Sequence, residues 1–273
     1  MDRRSNINFV SNNKIAETSS KGNQEKWFDN NRWYKLDQFG YEALSEVFTT
    51  YLLERSNIEK NTSFTFVRYE MEKMNVHKLN RTGCSSENFL KTGESIITIN
   101  KLFKEYYNRP LKGILMTLSS DKKRISFLAE KVAEITGLKE FPLYLTIIFE
   151  LDALVLNNDR HLNNIAVIKK ENGFDYCPIF DNGAGLLSNA HVLPFDITPE
   201  GLMKTVDANP FHISFNRQLN IIRSLYGSQL EIPRLTKDEI DKVLLPLLEY
   251  YPERDRGIIR ERVTKTIIER QKY

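Results

Sequence analysis

The chain has 273 residues, of which 41% are hydrophobic, and a formal net charge of +3. That length suffices for one two-lobed enzyme or two small domains, each with its own hydrophobic core. The small net charge, with lysine and arginine interspersed among acidic residues, argues against a nucleic-acid-binding protein. Two cysteines, Cys84 and Cys177, are too few for a disulfide scaffold, and we expect both to be buried thiols.

The N-terminal sequence and the most apolar segment both argue against export or membrane insertion. Residues 1–6 are followed by mixed polar sequence without an apolar core, unlike a secretory signal. The most apolar stretch, Leu143 to Leu156, is interrupted by Glu150 and Asp152 and is too short to span a bilayer. We therefore expect a cytoplasmic protein with no membrane partner.

The first predicted elements are a strand and an amphipathic helix. The segment Trp33 to Asp37 is typical of a strand, and Gln38-Phe39-Gly40 is typical of a turn. From Tyr41 to Leu53, apolar residues recur at spacings of three and four, which indicates a helix. Glu42 and Glu46 lie four positions apart, so they share one face of that helix.

Further strands are predicted before the chain becomes helical. Phe64 to Met71 alternates as a strand, Asn75 to Leu79 begins its partner, and Cys84 to Phe89 forms the last strand and a hinge. We place the boundary between the two parts near Phe89 to Gly93. Beyond it, apolar spacing predicts six helices. These are Ile99 to Tyr107, Lys122 to Thr136, Phe141 to Leu156, Gln218 to Tyr226, Lys237 to Tyr250 and Arg256 to Gln271.

The most informative part of the chain is a polar loop followed by an acidic turn. The loop reads Asn158-Asp159-Arg160-His161-Leu162-Asn163-Asn164, and the turn reads Phe180-Asp181-Asn182-Gly183. Between them, Ile165 to Ile168 and Tyr176 to Ile179 are predicted as short strands joined at Glu171 to Gly173. Such a hairpin returns the acidic turn to the polar loop.

These residue types match the chemistry of phosphoryl transfer from ATP, which depends mostly on positioning and on neutralising phosphate charge. One carboxylate orients the acceptor hydroxyl, while an amide oxygen and a second carboxylate bind Mg²⁺, which prefers hard oxygen ligands. Asp159, Asn164 and Asp181 supply that set. Protein kinases use the same order, D-x-x-x-x-N and then D-x-G. The alternative is a solvated turn, because Asn and Asp are common turn formers.

This motif resembles the HipA-like kinases, whose pattern is close to N-x-D-x-H-x-x-N followed by a strand-terminal Asp. The resemblance implies that Asp159 is the catalytic base and that Asn164 and Asp181 are the Mg²⁺ ligands. It also implies that His161 organises the loop. Phosphatidylinositol kinases carry a similar D-R-H-x-x-N and D-x-G, so the motif predicts the reaction class better than the substrate.

The resemblance also assigns residues to ATP binding. Lys35 matches the family's nucleotide lysine and Glu46 its partner on the following helix, with Glu42 as the alternative. Kinase hinges bind adenine through backbone groups, which points to Ser86 to Asn88, with Glu87 at the centre. The family's G-x-Q-x-K element resembles the run from Gly22 to Lys26 and places three more residues beside ATP. These are Gly22, Asn23 and Gln24.

The resemblance further implies a regulatory phosphorylation. In that family a serine shortly before this glycine, once phosphorylated by the kinase itself, is associated with ejection of the loop and loss of ATP binding. Ser19, or alternatively Ser20, falls at the matching place. A doubly charged phosphate there would be repelled by the phosphates of ATP. The alternative is an unmodified, solvated serine.

The resemblance implies an α+β, two-lobed protein-kinase-like fold, with a small β-rich lobe over residues 1–90 and a mostly helical lobe over residues 91–273. The predicted activity is that of an ATP- and Mg²⁺-dependent serine/threonine protein kinase. A lipid or small-alcohol kinase and a pseudokinase binding module are the alternatives. Residues 182–195 contain no Lys or Arg, which disfavours an anionic phosphoinositide substrate.

The resemblance raises the question of a partner protein. HipA-like toxins often carry a small N-terminal subdomain before the nucleotide loop, whereas fewer than twenty residues precede Ser19 here. The chain is then either a stand-alone core kinase or one that receives this subdomain from a separate polypeptide. An antitoxin is a further expected kind of partner. The sequence does not identify the protein that accepts the phosphate.

Overall fold

The computed structural model of the chain describes residues 8–9 and 24–273. Its first lobe is built on five strands, which are β1 (Asn8–Phe9), β2 (Lys26–Asp29), β3 (Arg32–Leu36), β4 (Tyr69–Val76) and β5 (Leu79–Glu87). They form one sheet in the order β1-β4-β5-β3-β2, in which β1 runs parallel to β4 and the remaining pairs are antiparallel.

Two helices lie between β3 and β4, namely α1 (Glu42–Glu54) and the single-turn α2 (Ile58–Asn61). On α1, the apolar side chains Leu44, Phe48 and Leu52 recur every four residues and join the large hydrophobic core that also contains the second-lobe helices. The opposite side of α1 packs on β4 and β5. Because both sides are covered, even Glu46 of α1 is buried.

The second lobe consists of a three-stranded sheet and eight helices among the described residues. Its strands are β6 (Ser95–Thr98), β7 (Ala166–Lys170) and β8 (Gly173–Tyr176), in the order β6-β7-β8. Its helices are α3 (Ile99–Tyr107), α4 (Leu111–Met116), α5 (Asp121–Thr136), α6 (Phe141–Val155), α7 (Pro199–Met203), α8 (Phe215–Tyr226), α9 (Lys237–Leu248) and α10 (Glu253–Arg270).

Helix α6 is the centre of the second lobe, because α5, α8 and α10 all pack against it. Its long apolar run is therefore the sequence of a helix buried on all sides. The acid Glu150 within that run is buried but accepts four hydrogen bonds, from Arg223 Nε, Ser228 Oγ and the backbone N–H groups of residues 229 and 230. No helix in the described ranges is both long and apolar enough to cross a membrane.

The predicted helices agree with the structure to within a few residues at each end, and Cys84 and Cys177 are buried free thiols as expected. The strand predicted from Phe64 to Met71 is wrong in its first half, because β4 begins only at Tyr69. Residues 64–66 alternate in polarity because Phe64 and Phe66 are buried in the core, and burial requires no ladder of strand hydrogen bonds.

The predicted hairpin before Asp181 is also shifted. Strand β8 ends at Tyr176, so Ile179 does not belong to the hairpin. Ile179 instead forms an isolated parallel bridge with Phe66, in which the N–H of Val67 donates to Ile179 O at 2.9 Å. The segment that leads into the acidic turn is thereby attached to the chain that leads into β4 of the first lobe.

Candidate active site

A lysine held between two carboxylates lies at the junction of the lobes. Strand β3 carries Lys35, whose Nζ donates to Glu46 Oε1 of α1 at 2.9 Å and to Asp181 Oδ1 at 2.8 Å. The Tyr69 hydroxyl lies 3.4 Å from the same ammonium. The second oxygen of Glu46 accepts from the backbone N–H of Asn182 at 2.8 Å. One glutamate thus connects the lysine to the acidic turn.

The electrostatics of this cluster favour one cation and an ionised Asp181. Burial lowers the pKa of Lys35, but the adjacent Asp181 and Glu46 carboxylates outweigh it, so that this pKa lies well above its usual value. Burial raises the pKa of Asp181, but the charge and hydrogen bond of Lys35 outweigh that effect and bring it to about 2. Burial is the main cause that raises the pKa of Glu46.

The structure distinguishes the two glutamates that the sequence left open. The carboxylate of Glu42 accepts hydrogen bonds from the backbone N–H groups of Phe39 (2.7 Å) and Gly40 (3.0 Å), which turn the chain into α1. Glu46, one helical turn further on, is the residue that contacts Lys35. Glu42 therefore stabilises the start of the helix and makes no contact with the lysine.

The polar loop begins where α6 ends. Leu156 adopts the left-handed conformation at the helix C-cap (φ 55°), and buried Asn157 follows. The amide of Asn157 donates to Asp181 O at 3.2 Å and accepts from the backbone N–H of Asp159 at 3.3 Å. This single side chain connects the polar loop to the acidic turn. Asn157 is the first residue of the N-x-D-x-H-x-x-N pattern, a position whose role the motif did not reveal.

Arg160 is the main organiser of the loop, with a side chain that is only 1% exposed. Its guanidinium forms hydrogen bonds to both carboxylate oxygens of Asp152 on α6. It also donates to the backbone oxygens of Asn164 (3.2 Å) and Phe180 (2.6 Å) and to Asn182 Oδ1 (2.6 Å). One buried cation thus holds the helix, the loop and the acidic turn together.

The three predicted loop residues lie together, but they make different contacts. The carboxylate of Asp159 is exposed and has no hydrogen bond to any described side chain. Partial desolvation by its surroundings raises its pKa, with a further increase from Asp181, while His161 and Arg160 oppose the shift. His161 Nδ1 accepts from the backbone N–H of Asn163 at 3.3 Å. The role of His161 as an organiser of the loop stays a prediction.

The acidic turn depends on the backbone at Asp181 and Gly183. Asp181 has a positive φ of 63°, a conformation that non-glycine residues adopt rarely. At Gly183, a Cβ atom would lie 3.3 Å from Glu42 Cβ and 3.5 Å from Glu46 Oε1. The glycine therefore permits the close approach of this turn to α1, which places Glu46 in contact with Lys35 and the turn.

The predicted nucleotide loop is described only from Gln24 onward, so that Ser19, Ser20, Gly22 and Asn23 lie outside the described residues. The side chain of Gln24 donates to Leu36 O at 2.8 Å, which ties the end of the loop to β3. Lys26 lies opposite Lys35 in the β2–β3 register and therefore on the same face of the sheet.

The hinge prediction centred on Glu87 concerns the end of β5. The Glu87 side chain is 84% exposed and lies 4.0 Å from Arg32 Nη1. The next backbone N–H, that of Asn88, already donates to Asn31 O at 2.9 Å. The ATP-binding role of Glu87 stays a prediction.

No protein-family model and no curated protein sequence matches this chain. Among solved structures, it is similar to the proinflammatory kinase CtkA of Helicobacter pylori, with a TM-score of 0.54 and 14% identity over 93% of this chain and 89% of CtkA. The chain has a kinase fold. The predicted α+β, two-lobed architecture is thereby confirmed.

A second similar structure is HipA of Shewanella oneidensis, determined in a toxin–antitoxin complex with HipB and operator DNA. The TM-score is 0.45 and the identity 14%, over 93% of this chain and 65% of HipA. This chain therefore spans less than two thirds of the length of that HipA chain.

The side chains present fit a magnesium ion. Asn164 Nδ2 donates to Asp159 O at 2.9 Å, and this orientation leaves the amide oxygen of Asn164 as a free ligand atom. Asp181 uses Oδ1 for Lys35, and no described side chain bonds to its Oδ2. Mg²⁺ is usually bound by one or two such oxygens together with phosphates and water. The described residues contain no cluster of three or more His, Cys, Asp or Glu that would form a metal site without phosphate.

Proposed function

We propose that this protein is an ATP- and Mg²⁺-dependent serine/threonine protein kinase. The observation that carries the proposal is the contact of Lys35 with both Glu46 and Asp181, beside a loop that presents Asp159 and Asn164. Kinases use a strand lysine, a helix glutamate, a loop Asp and Asn and a metal-binding Asp in these roles. The five residues come from four separate segments of the chain, which makes a chance arrangement implausible.

In this proposal the Lys35 ammonium contacts the α- and β-phosphates of ATP while Glu46 keeps it in position. The carboxylate of Asp181 and the amide oxygen of Asn164 hold Mg²⁺, which neutralises phosphate charge when it is bound. Lys26, on the same sheet face as Lys35 and without an ion pair to a described residue, adds a second positive charge for the phosphates.

Asp159 acts on the acceptor. The oxygen of a serine or threonine hydroxyl attacks the γ-phosphorus, and the bond from that phosphorus to the β–γ bridging oxygen breaks. ADP leaves with the bond's electron pair, and the hydroxyl proton passes to the Asp159 carboxylate. Since this carboxylate has no hydrogen bond to a described side chain, it is available to accept that proton.

Regulation and partners form the second part of the proposal. Autophosphorylation at Ser19, or alternatively Ser20, would add a doubly charged phosphate that the phosphates of ATP would repel. We extend the HipA comparison to propose an antitoxin as partner, and a cytoplasmic site of action. Intact-mass analysis after incubation with ATP tests the modification. Absence of phosphate on both serines in an otherwise active enzyme would contradict it.

Phosphotransfer itself can be tested with purified protein, Mg²⁺ and γ-labelled ATP, in the presence of a whole-cell protein extract. Wild type is compared with Asp159→Asn and Asp181→Asn, and with Lys60→Met as a control, because Lys60 is an exposed lysine of α2 outside the site. We expect labelled protein with wild type and the control only. Label on lipid alone would favour a lipid kinase, and ATP binding without any transfer would favour a pseudokinase.

A further inference from the structure

A cleft of about 470 Å³ opens beside the polar loop of the candidate active site. Its volume lies within the range of about 300–1,000 Å³ that is typical of ligand-binding sites. The lining comes from α3, α4, α5, the polar loop and the segment before α8. The lining includes Lys112, Met116, Arg124, His161, Leu162 and Phe211.

Hydrogen bonds connect residues that line this cleft to the polar loop. His161, Leu162 and Asn163 belong to the loop that carries Asp159. The side chain of Asn209 donates to Asn158 O at 2.6 Å, directly before Asp159. On the other wall, the backbone N–H of Asn100 donates to Leu162 O at 3.2 Å. A molecule bound in the cleft would therefore contact the loop that carries the proposed base.

The lining contains basic side chains but no acidic ones. It contains a lysine, an arginine and two histidines, but no aspartate or glutamate. Arg124 already donates to Asp121 Oδ1 at 2.9 Å and to Leu115 O at 3.2 Å. Lys112, by contrast, is exposed and has no carboxylate partner among the described residues. One cation in the lining is therefore available to bind an anionic group.

The rest of the lining is largely apolar. Leu162, Pro210, Phe211 and Met116 all line the cleft, and Met116 is 71% exposed. An exposed methionine is a flexible apolar surface that adapts to different side chains. The cleft thus combines one free positive charge with an apolar surface.

We propose that this cleft binds the acceptor of the proposed kinase, as a peptide segment with an acidic residue at Lys112 and an apolar residue against Met116 and Phe211. The proposal rests on the kinase function argued above. A carboxylate carries one negative charge and matches one free lysine, whereas a phosphoinositide headgroup carries several charges and is usually bound by several cations. The occupant is therefore assigned as an acidic stretch of a protein.

The experiment uses a positional library of serine-centred peptides with γ-labelled ATP and Mg²⁺. The proteins compared are wild type, Lys112→Glu, Lys112→Met and the matched charge-reversal control Lys60→Glu. Phosphatidylinositol vesicles serve as a parallel acceptor. Peptide-free ATP hydrolysis, with water as acceptor, is measured for each variant, because it reports whether the fold and the nucleotide site are intact.

We expect wild type to prefer Asp or Glu over Lys or Arg at one flanking position by about fivefold, the scale of one exposed ion pair. This preference should disappear in Lys112→Met, reverse in Lys112→Glu and persist in Lys60→Glu, with ATP hydrolysis equal in all four. A wild-type preference that is absent, or that survives Lys112→Glu, would overturn the cleft assignment.

Transfer to phosphatidylinositol but to no peptide would likewise overturn the peptide assignment and leave phosphotransfer intact. Hydrolysis of ATP without label on either acceptor would also overturn the peptide assignment, while phosphotransfer to water would remain. Failure of the proposed function gives a different result, because ATP is then neither hydrolysed nor used for transfer to any acceptor. In that case the cleft assignment fails together with the kinase proposal.

Discussion

Two ionic clusters lie within the same part of the molecule, but they differ in their exposure to solvent. In the first, Arg160 and Asp152 are each 1% exposed, and the guanidinium also donates to two backbone oxygens and one amide. In the second, Lys35 is 14% and Asp181 31% exposed, while Glu46 is almost completely buried. We refer to them as the closed cluster and the open cluster.

The difference is that the closed cluster holds the protein together, whereas the open cluster keeps polar groups free for a ligand. The donors of Arg160 are directed at protein acceptors, so the closed cluster fixes the polar loop and leaves no group free for a ligand. In the open cluster, Asp181 keeps one carboxylate oxygen and Lys35 keeps a partly exposed face. A buried ion pair is tolerated when its hydrogen bonds are satisfied, while a partly exposed one remains available to charged ligands.

The largest effect is expected for the closed cluster. Arg160→Met leaves the Asp152 carboxylate buried without its partner, and we expect a loss of about 3–5 kcal/mol in the free energy of unfolding. Urea denaturation measures this loss. The double variant Asp152→Leu with Arg160→Met should recover most of the stability, but not phosphotransfer, because the loop is no longer held. Wild-type stability in Arg160→Met would contradict the structural role of the closed cluster.

A change in the polar loop should lower activity without lowering stability. Asp159→Asn removes the proposed base and should lower kcat by about 10²–10⁴-fold. Its urea midpoint should stay at the wild-type value, because the side chain is exposed and bonds to no described side chain. Steady-state transfer and denaturation are measured on the same preparation. Retained kcat would exclude Asp159 as the base.

The pH dependence of activity sharpens the comparison within the site. Because partial desolvation raises the pKa of Asp159, the proposed base becomes protonated at a higher pH than an ordinary aspartate. Activity should therefore fall as the pH is lowered through this raised pKa. Asp181, with a pKa of about 2, stays ionised over that range. The pH profile of kcat/KM checks this, and an acidic limb that persists unchanged in the residual activity of Asp159→Asn would refute the assignment.

The smallest effect is expected when only one carboxylate of the open cluster is neutralised. Glu46→Gln keeps an acceptor for Lys35 but removes its charge, and we expect about fivefold weaker ATP binding, equivalent to about 1 kcal/mol. Glu42→Gln is the matched control, because it lies on the same helix and does not contact the lysine. Equal effects of the two variants on nucleotide affinity, measured by calorimetry, would show that Glu46 has no special role.

Some features of the site were predictable because they depend on short stretches of sequence. The spacing of Asp159, Asn164 and Asp181 indicated phosphotransfer chemistry, and apolar periodicity located the helices. The importance of Arg160 was missed, although Asp152 offered a signal. A carboxylate inside an apolar helix is costly to bury and must have a partner, and the arginine eight positions later provides it.

The sequence alone determined the residue types of the candidate site and the approximate bounds of the helices, because both are encoded in local spacing. Only the tertiary structure decided that Glu46 rather than Glu42 meets Lys35, and that Ile179 pairs with Phe66 instead of extending a hairpin. It also decided that Lys112 and residues of the polar loop line the same cleft. Such contacts join residues far apart in the chain, and packing of the whole core sets them.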